Sequence, residues 1–290
     1  MRIFADLSTV PRSSTRRAAA PLALPGTDFA GDERPYGARS DESIAVGDLL
    51  MRHVPALARG DLEIVAIARR PGVLTKVAVR RRSGVRLERR PISLVLGVGA
   101  DYVHRVRAEL GGEPIRVVQW HGEPTWYIAE ALGLSYVPPM QLLDASRRAD
   151  VLLGEVDYRG VRGRHAINLQ LAGVLTGWRI RLKRIATSPA WRALEAAHQE
   201  GRSLPAEVTA RLPKGLAVVV YGLNGLLPTG QVRGVRRGLP SERVDALLRQ
   251  RLGQELQVVV LRLDPDAGHI FVSERMPAGR QLPLPLDQPA

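Results

Sequence analysis

The chain has 290 residues, of which 45% are apolar and 4% aromatic, so it can hold two or three domains with mainly aliphatic cores. Its formal net charge of +13 favours a polyanionic partner such as nucleic acid. The lack of cysteine excludes disulfides and thiolate metal sites, and no apolar run reaches membrane-spanning length. We therefore expect a cytoplasmic protein without a membrane partner.

The first part of the chain predicts one compact domain after a tail. Residues 1–43 lack sustained periodicity and are rich in Pro, Ser and Arg, which predicts a disordered tail. Periodicity then predicts a helix at 44–58, strands at 62–68 and 75–80, a short apolar element at 92–96, a helix at 102–110 and a strand at 115–120. If the short apolar element is helical, this is the element order of a type II KH domain.

The same order recurs further along the chain, as expected of a domain repeat. The predicted elements are a helix at 125–133, strands at 137–144 and 151–156, a tight turn at 163–166, a helix from Ile167 to Leu175 and a strand at 178–182. Gly177 suits the helix end because glycine takes the left-handed conformation without strain. Residues 158–162, just before the turn, predict a poor helix because Gly160 interrupts them.

Two stretches resemble the KH domains of the bacterial transcription factor NusA. One is GRHAINLQLAGVLTGWRIRL, residues 163–182, which is similar to the second KH domain. The other is HVPALARGDLEIVAIARRPGVLTKVAVR, residues 53–80, which is similar to the opening of the first. The resemblance implies tandem KH domains at 44–122 and 123–187 that pack as one rigid body.

The resemblance also implies two RNA-binding loops, each of the GxxG type. The first is Gly97, Val98, Gly99 and Ala100; the second is Gly163, Arg164, His165 and Ala166, preceded by Arg162. Both loops end in Ala where the family has Gly, which hinders close approach of a phosphate. Because Arg164 is basic and Val98 is not, we expect the second loop to bind RNA better. In the alternative interpretation both loops are degenerate and the KH pair is a scaffold.

A dinucleotide site at the first loop is a competing interpretation. The stretch LVLGVGADYVHRV reads as strand, Gly-x-Gly and helix. Tyr102 replaces the third glycine of that fingerprint, and no acidic residue ends the next strand. We therefore favour the KH interpretation.

The last part of the chain predicts a small β-barrel. Residues 190–201 predict a helical linker, and residues 206–231 resemble the S-one-type repeat of the ribosomal small-subunit protein that binds messenger RNA. Strands at 207–212, 216–221, 225–227, 255–263 and 269–273, with a helix at 243–252, suit a five-stranded OB-fold barrel. We place this domain at 188–278 and predict a disordered tail at 279–290.

Barrels of this kind bind single strands by stacking bases on aromatic side chains in a basic groove. Tyr221 and Phe271 are the aromatic candidates in the strands, and we expect Phe271 to fill the core instead. The candidate RNA-binding residues of the barrel are Lys214, Tyr221, Arg233, Arg236 and Arg237.

The sequence as a whole predicts an α+β protein with two tandem type II KH domains followed by a five-stranded OB-fold β-barrel. We expect a NusA-like accessory factor in transcription elongation, termination or transcription–translation coupling that binds single-stranded messenger or ribosomal RNA, with RNA polymerase or the ribosome as partner. The second hypothesis is a ribosome-associated interaction protein, and the third a nucleotide-dependent enzyme using Gly97 and Gly99. The six His show no metal-ligand spacing, and we expect no catalytic residues, metal or cofactor.

Overall fold

The computed structural model describes residues 41–236 and 238–275. It is an α+β structure with two three-stranded sheets and one closed five-stranded barrel. The described residues form two compact units: one runs up to Val151 and adds Arg159–Leu182, and the other contains Leu152–Tyr158 and the residues from Lys183 onward. The expected tails lie outside the described residues, except that the first helix already begins at Asp41.

The first domain has the predicted element order. It consists of α1 (Asp41–His53), α2 (Pro55–Ala58), β1 (Leu62–Arg70), β2 (Leu74–Arg81), α3 (Pro91–Leu96), α4 (Asp101–Glu109) and β3 (Ile115–Gln119). Pro55 splits the single helix predicted at 44–58 into two. The sheet order is β1-β2-β3, with β1 antiparallel and β3 parallel to β2. Its core is aliphatic, as the scarcity of aromatic residues requires.

The following residues repeat this order. The elements are α5 (Pro124–Leu132), β4 (Met140–Leu143), β5 (Arg148–Leu153), α6 (Glu155–Arg162), α7 (Ile167–Thr176) and β6 (Arg179–Arg184), and the strands form a sheet of order β4-β5-β6. Helix α5 packs on α7 and β3, and α7 packs on β1 and β2. The buried Tyr127 hydroxyl donates to the Leu175 carbonyl at 2.9 Å and fixes α5 against α7.

The expectation of a poor helix before the second turn is wrong. Residues Glu155–Arg162 form α6, and nothing lies within 4 Å of a Cβ added at Gly160, so the glycine costs only its propensity. Glu155 and Asp157 lie in the first turn of α6 and Arg159 and Arg162 in its last turn, the order that the helix dipole favours. Burial of Val161 adds tertiary packing that local propensity does not include.

The barrel has the predicted five strands. They are β7 (Ser203–Leu212), β8 (Gly215–Val220), β9 (Leu223–Pro228), β10 (Glu255–Asp264) and β11 (His269–Ser273), closed in the order β10-β11-β9-β8-β7 by pairing of β7 with β10. Helix α9 (Ser241–Gln250) lies between the third and fourth strands in sequence, as expected. Helix α8 (Pro189–Glu200) precedes β7.

Two expectations about the barrel core are wrong. Helix α8 is not a linker, because Trp191, Leu194 and Ala197 have no exposed surface and belong to the barrel core. Phe271 does not fill that core, since its neighbours Ile270 and Val272 do and successive side chains of a strand point to opposite faces. Among residues 41–236 and 238–275, no helix has both the length and the apolarity to cross a membrane.

Candidate nucleic-acid interface

The two predicted turns have the same backbone conformation. We call Gly97–Ala100 the first loop and Gly163–Ala166 the second; each joins the end of one helix to the start of the next. The angle φ is positive at the first, third and fourth positions of both: 74°, 62° and 63° at Gly97, Gly99 and Ala100, and 60°, 54° and 55° at Gly163, His165 and Ala166. The same loop geometry therefore occurs twice, at positions 66 residues apart along the chain.

The first loop keeps glycine where the backbone most needs it. A Cβ added at Gly97 would lie 2.7 Å from the ring of Tyr102, and its φ of 74° with ψ of −169° is a conformation that glycine alone adopts readily. Tyr102, the second residue of α4, therefore packs directly under the loop. A helix, α3, precedes the loop, which rules out the strand that the dinucleotide interpretation requires.

Asn168 holds the second loop at the corresponding position, five residues after the first glycine. Its Nδ2 donates to the Val161 carbonyl of α6 at 2.8 Å and to the Leu132 carbonyl of α5 at 3.2 Å. Its Oδ1 accepts from Nη1 of Arg116 at 3.2 Å. The amide orientation is forced, because carbonyls only accept and a guanidinium only donates. The bond to Val161 closes the chain across the second loop.

Lys76 anchors the same region from the first sheet. It is fully buried on β2, and its ammonium donates to the Ala131 carbonyl and, at 3.0 Å, to the Asn168 carbonyl. The last carbonyls of a helix have no intrahelical donors, so Lys76 and Asn168 together cap the C-terminus of α5. Burial, and secondarily the positive charge of Arg116, lower the pKa of Lys76 to about 7.

The electrostatic surroundings of the two loops differ. At the first loop, Val98 is 80% exposed and a carboxylate oxygen of Asp101 lies 3.9 Å from a Cβ added at Gly99. At the second loop, Ile167 replaces that acidic residue, Arg162 is exposed, and Arg116 contacts Asn168. An anionic backbone is therefore favoured at the second loop and opposed by Asp101 at the first.

Three of the predicted residues of the second loop have solvent-exposed surface. Gly163 and His165 are exposed and Ala166 is half-buried. Arg164 holds the second position of its loop, which Val98 holds in the first. Ala166 and His165 are in the left-handed region without being glycine, which costs about 1–2 kcal/mol per residue. The surrounding hydrogen bonds of Asn168 offset this strain.

The barrel residues do not form one site. Lys214 is exposed in the β7–β8 turn, and its carbonyl accepts from the Thr229 N–H at 3.0 Å, so the loop that starts after Thr229 lies at the same end of the barrel. Tyr221 follows β8 at the opposite end of that strand, roughly 20 Å away at 3.3 Å per residue, with φ of 50° and 44% exposure. It therefore lies in a turn and not in the predicted strand.

The predicted arginines of the barrel loop have an acidic neighbour. Arg233 and Arg236 are exposed, and Arg237 lies outside the described residues. The N–H of Arg233 donates to Glu274 at 2.7 Å, and Glu274 also pairs with Arg251 at 3.0 Å. Glu274 fixes the loop but lowers the positive potential beside it.

Sequence reasoning missed the residues that support the second loop: Lys76, Arg116 and Asn168. Four of the five hydrogen bonds described above join residues 36 to 92 positions apart, which no local pattern reveals. A signal was present for Asn168, a polar residue in the first turn of a largely apolar helix.

Comparison with known proteins supports the NusA resemblance over half of the chain. Residues 40–120 match the family described as the NusA-like first KH domain. The transcription termination/antitermination protein NusA of Mycobacterium bovis is 32% identical over 146 residues, 50% of this chain and 41% of that protein. NusA of Thermus thermophilus is 32% identical over 152 residues, 52% of this chain and 38% of that protein. The chain thus spans about two-fifths of the length of these relatives.

A solved structure shares a smaller part. One chain of the a/eIF2alpha-aDim2p-rRNA complex from Pyrococcus horikoshii OT3 is 25% identical, with 26% of this chain and 43% of that chain covered. The TM-score is 0.21, which does not establish a common fold.

Proposed function

We propose that this chain is a NusA-like RNA-binding accessory factor of transcription, in elongation, termination or its coupling to translation. The observation that carries the proposal is the duplicated loop: two exposed turns of one backbone geometry, the first of them inside the part that matches the NusA-like first KH domain. The repeated element order supports reading residues 123–187 as a second KH domain. RNA polymerase or the ribosome is the proposed protein partner.

In this proposal single-stranded RNA contacts the second loop first. Its phosphates approach the backbone of Gly163 and the basic residues Arg162, Arg164 and Arg116, while the first loop contributes shape and little charge. The barrel adds phosphate contacts from Lys214, Arg233 and Arg236, and Tyr221 offers a separate stacking surface. In this role the chain binds and positions RNA, which requires no catalytic group.

A ribosome-associated interaction protein is the second candidate, favoured by one observation. Both loops have Ala with φ near 60° where a glycine would approach a phosphate more closely. If that substitution abolished RNA contact, the paired domains would serve as a scaffold, and the basic barrel would contact its partner.

The test compares charge reversal at equivalent loop positions, Arg164→Asp and Val98→Asp, in the full chain. Reversing one charge about 4 Å from a phosphate costs about 2 kcal/mol in water, which salt reduces, so we expect about tenfold weaker RNA binding for Arg164→Asp. Val98→Asp should have a smaller effect, since Asp101 already makes that loop unfavourable. Circular dichroism should show both variants folded.

Two results would reject the proposal in favour of the scaffold. One is an equal, small loss of RNA affinity in both variants. The other is an affinity of the unsubstituted chain that does not fall between low and moderate salt, because phosphate contacts release counterions and must weaken with salt. Co-sedimentation with RNA polymerase or with ribosomal subunits then distinguishes the two candidate partners.

A further inference from the structure

An arginine-rich segment connects β2 to α3 and has no role in the interface described above. Six of the eleven residues from Arg80 to Arg90 are arginine, and Glu88 is the one acidic residue among them. The segment lies at the N-terminal end of α3, whereas the first loop lies at its C-terminal end.

A cleft of about 390 Å³ opens between this segment and the end of β3. Its walls include three arginines and two aromatic rings: Arg80, Arg81, Arg89, Trp120 and His121. The parallel register explains their meeting, because Val79 pairs with Gln119 and the Trp120 N–H donates to the Val79 carbonyl at 2.9 Å. The guanidinium of Arg80 consequently lies 5.0 Å from the centroid of the Trp120 ring.

The charges of the cleft are only partly neutralised. Arg80 pairs with Glu63 on the adjacent strand. Arg81 and Arg89 are exposed, and neither forms an ion pair with any residue in the described ranges 41–236 and 238–275. Two guanidinium groups and an indole in one cleft are the groups of a nucleotide-binding site, because guanidinium groups bind phosphate in a bidentate manner and aromatic rings stack on bases.

The size and place of the cleft indicate which nucleotide-containing ligand it takes. Its volume is near the lower end of small-ligand sites, which span about 300–1,000 Å³, so it admits about one nucleotide. Strand β3 leads to it from Arg116, which contacts Asn168 beneath the second loop. At 3.3 Å per residue, Arg116 and Trp120 are roughly 13 Å apart, a short step for an extended single strand.

We propose that this cleft is an additional subsite for single-stranded RNA, in which Arg81 and Arg89 bind backbone phosphates and Trp120 stacks on one base. The inference rests on the proposed RNA-binding function. It adds an RNA contact outside both loops, and it is specific to an unpaired strand because a base must leave its stack to reach the indole.

The experiment measures binding of the full chain to a labelled single-stranded RNA of mixed sequence at several salt concentrations. Each phosphate contact on a single strand contributes about 0.7 to the slope of log affinity against log salt. The variant Arg81→Gln/Arg89→Gln should therefore lower that slope by about 1.4 and weaken binding about tenfold at physiological salt. Its control is Arg82→Gln/Arg86→Gln, which removes equal charge from the same segment outside the cleft walls and should leave the slope nearly unchanged.

A second variant tests the stacking. Trp120→Leu should weaken RNA binding about tenfold without changing the salt slope, since a stacked base carries no charge to the contact. Melting curves confirm that each variant is folded, and adenosine monophosphate and polyglutamate serve as competitors. Weak competition by both, relative to unlabelled RNA, is expected.

Four outcomes would overturn the subsite. Equal slopes for the two double variants would show a general charge effect. Undiminished binding by Trp120→Leu together with strong competition by polyglutamate would indicate an acidic protein ligand, and tight binding of adenosine monophosphate without any effect of the variants on RNA would indicate a free-nucleotide site. If the cleft variants bind RNA normally while Arg164→Asp does not, the subsite fails and the proposed function stands.

Discussion

Replacing Asn168 by alanine should strongly destabilise the second loop. The side chain makes three hydrogen bonds, to the Val161 and Leu132 carbonyls and from Arg116. Each is worth about 0.5–1.5 kcal/mol net, and the carbonyls left without donors add to the loss. The sum is about 3 kcal/mol in the free energy of unfolding of the first unit.

The assay is thermal unfolding combined with hydrogen exchange. A loss of about 3 kcal/mol should lower the melting temperature by roughly 6–12 °C for a unit of this size. Amide exchange should accelerate at Gly163–Ala166, because the bond to Val161 closes the chain across this loop. RNA affinity should fall with the loss of loop order. The control is Gln170→Ala, an exposed position on the same helix.

The aspartate variant separates hydrogen bonding from packing. Asn168→Asp keeps the acceptor for Arg116 but loses both donors and turns a negative oxygen toward two carbonyls, so it should be less stable than Asn168→Ala. The reasoning would be refuted if Asn168→Ala melted within about 2 °C of the Gln170→Ala control. It would also be refuted if the aspartate variant were the more stable of the two.

Three further predictions concern backbone strain, charge burial and close packing. Ala166→Gly should stabilise the chain by about 0.5 kcal/mol in urea unfolding, because the relief of left-handed strain exceeds the entropic cost of glycine. Ala108→Gly, at an exposed position of α4, should instead destabilise the chain by about 1 kcal/mol, and equal effects of the two substitutions would contradict this. The pKa of Lys76 is about 7 in the folded chain and 10.5 in the unfolded chain, so the unfolded chain binds more protons between those pH values. The free energy of unfolding should therefore rise with pH across this range. Lys76→Met should flatten this rise, and parallel pH profiles of stability for the two proteins would contradict the low pKa of Lys76. Gly154→Ala would put a Cβ 2.5 Å from the Gly268 nitrogen and should lower the free energy of unfolding by about 2 kcal/mol. Gly160→Ala places its Cβ in open space and should raise the free energy of unfolding by up to about 1 kcal/mol. Calorimetry that gave both changes the same sign would contradict the packing at these glycines.

The order of elements could be predicted from the sequence because each element has a local signature. Helical spacing from Ile167 to Leu175 and the stop at Gly177 gave α7, and the structure confirms both, with Gly177 left-handed at φ of 72°. The closed barrel followed from five alternating strands and a helix between the third and fourth. These features depend on residues close in sequence, where periodicity is informative.

The wrong expectations involve tertiary contacts. Gly160 lowers helix propensity, but burial of Val161 and complementary charges sustain α6 regardless. We expected Phe271 in the core because it alternates with Ile270 and Val272 and one face of the strand must be buried, but alternation does not decide which face that is, and the structure buries Ile270 and Val272. The bonds of Lys76 with α5 and α7 connect elements that only the folded chain brings together, so the support of the second loop could not be predicted.

The two loops reach the same geometry by different means, and the difference argues against a purely scaffolding role for the second. The first loop has glycine at two of its three positive-φ positions and packs Tyr102 beneath it, but it offers an anion no charge. The second loop has glycine at only one of these positions, and the hydrogen bonds of Asn168 hold His165 and Ala166 in a strained turn. Strain that surrounding contacts maintain is characteristic of functional sites, since a loop without a ligand could relax at no loss. The strained loop is also the one with arginines around it, and this coincidence of geometry and charge is why we propose RNA contact at the second loop.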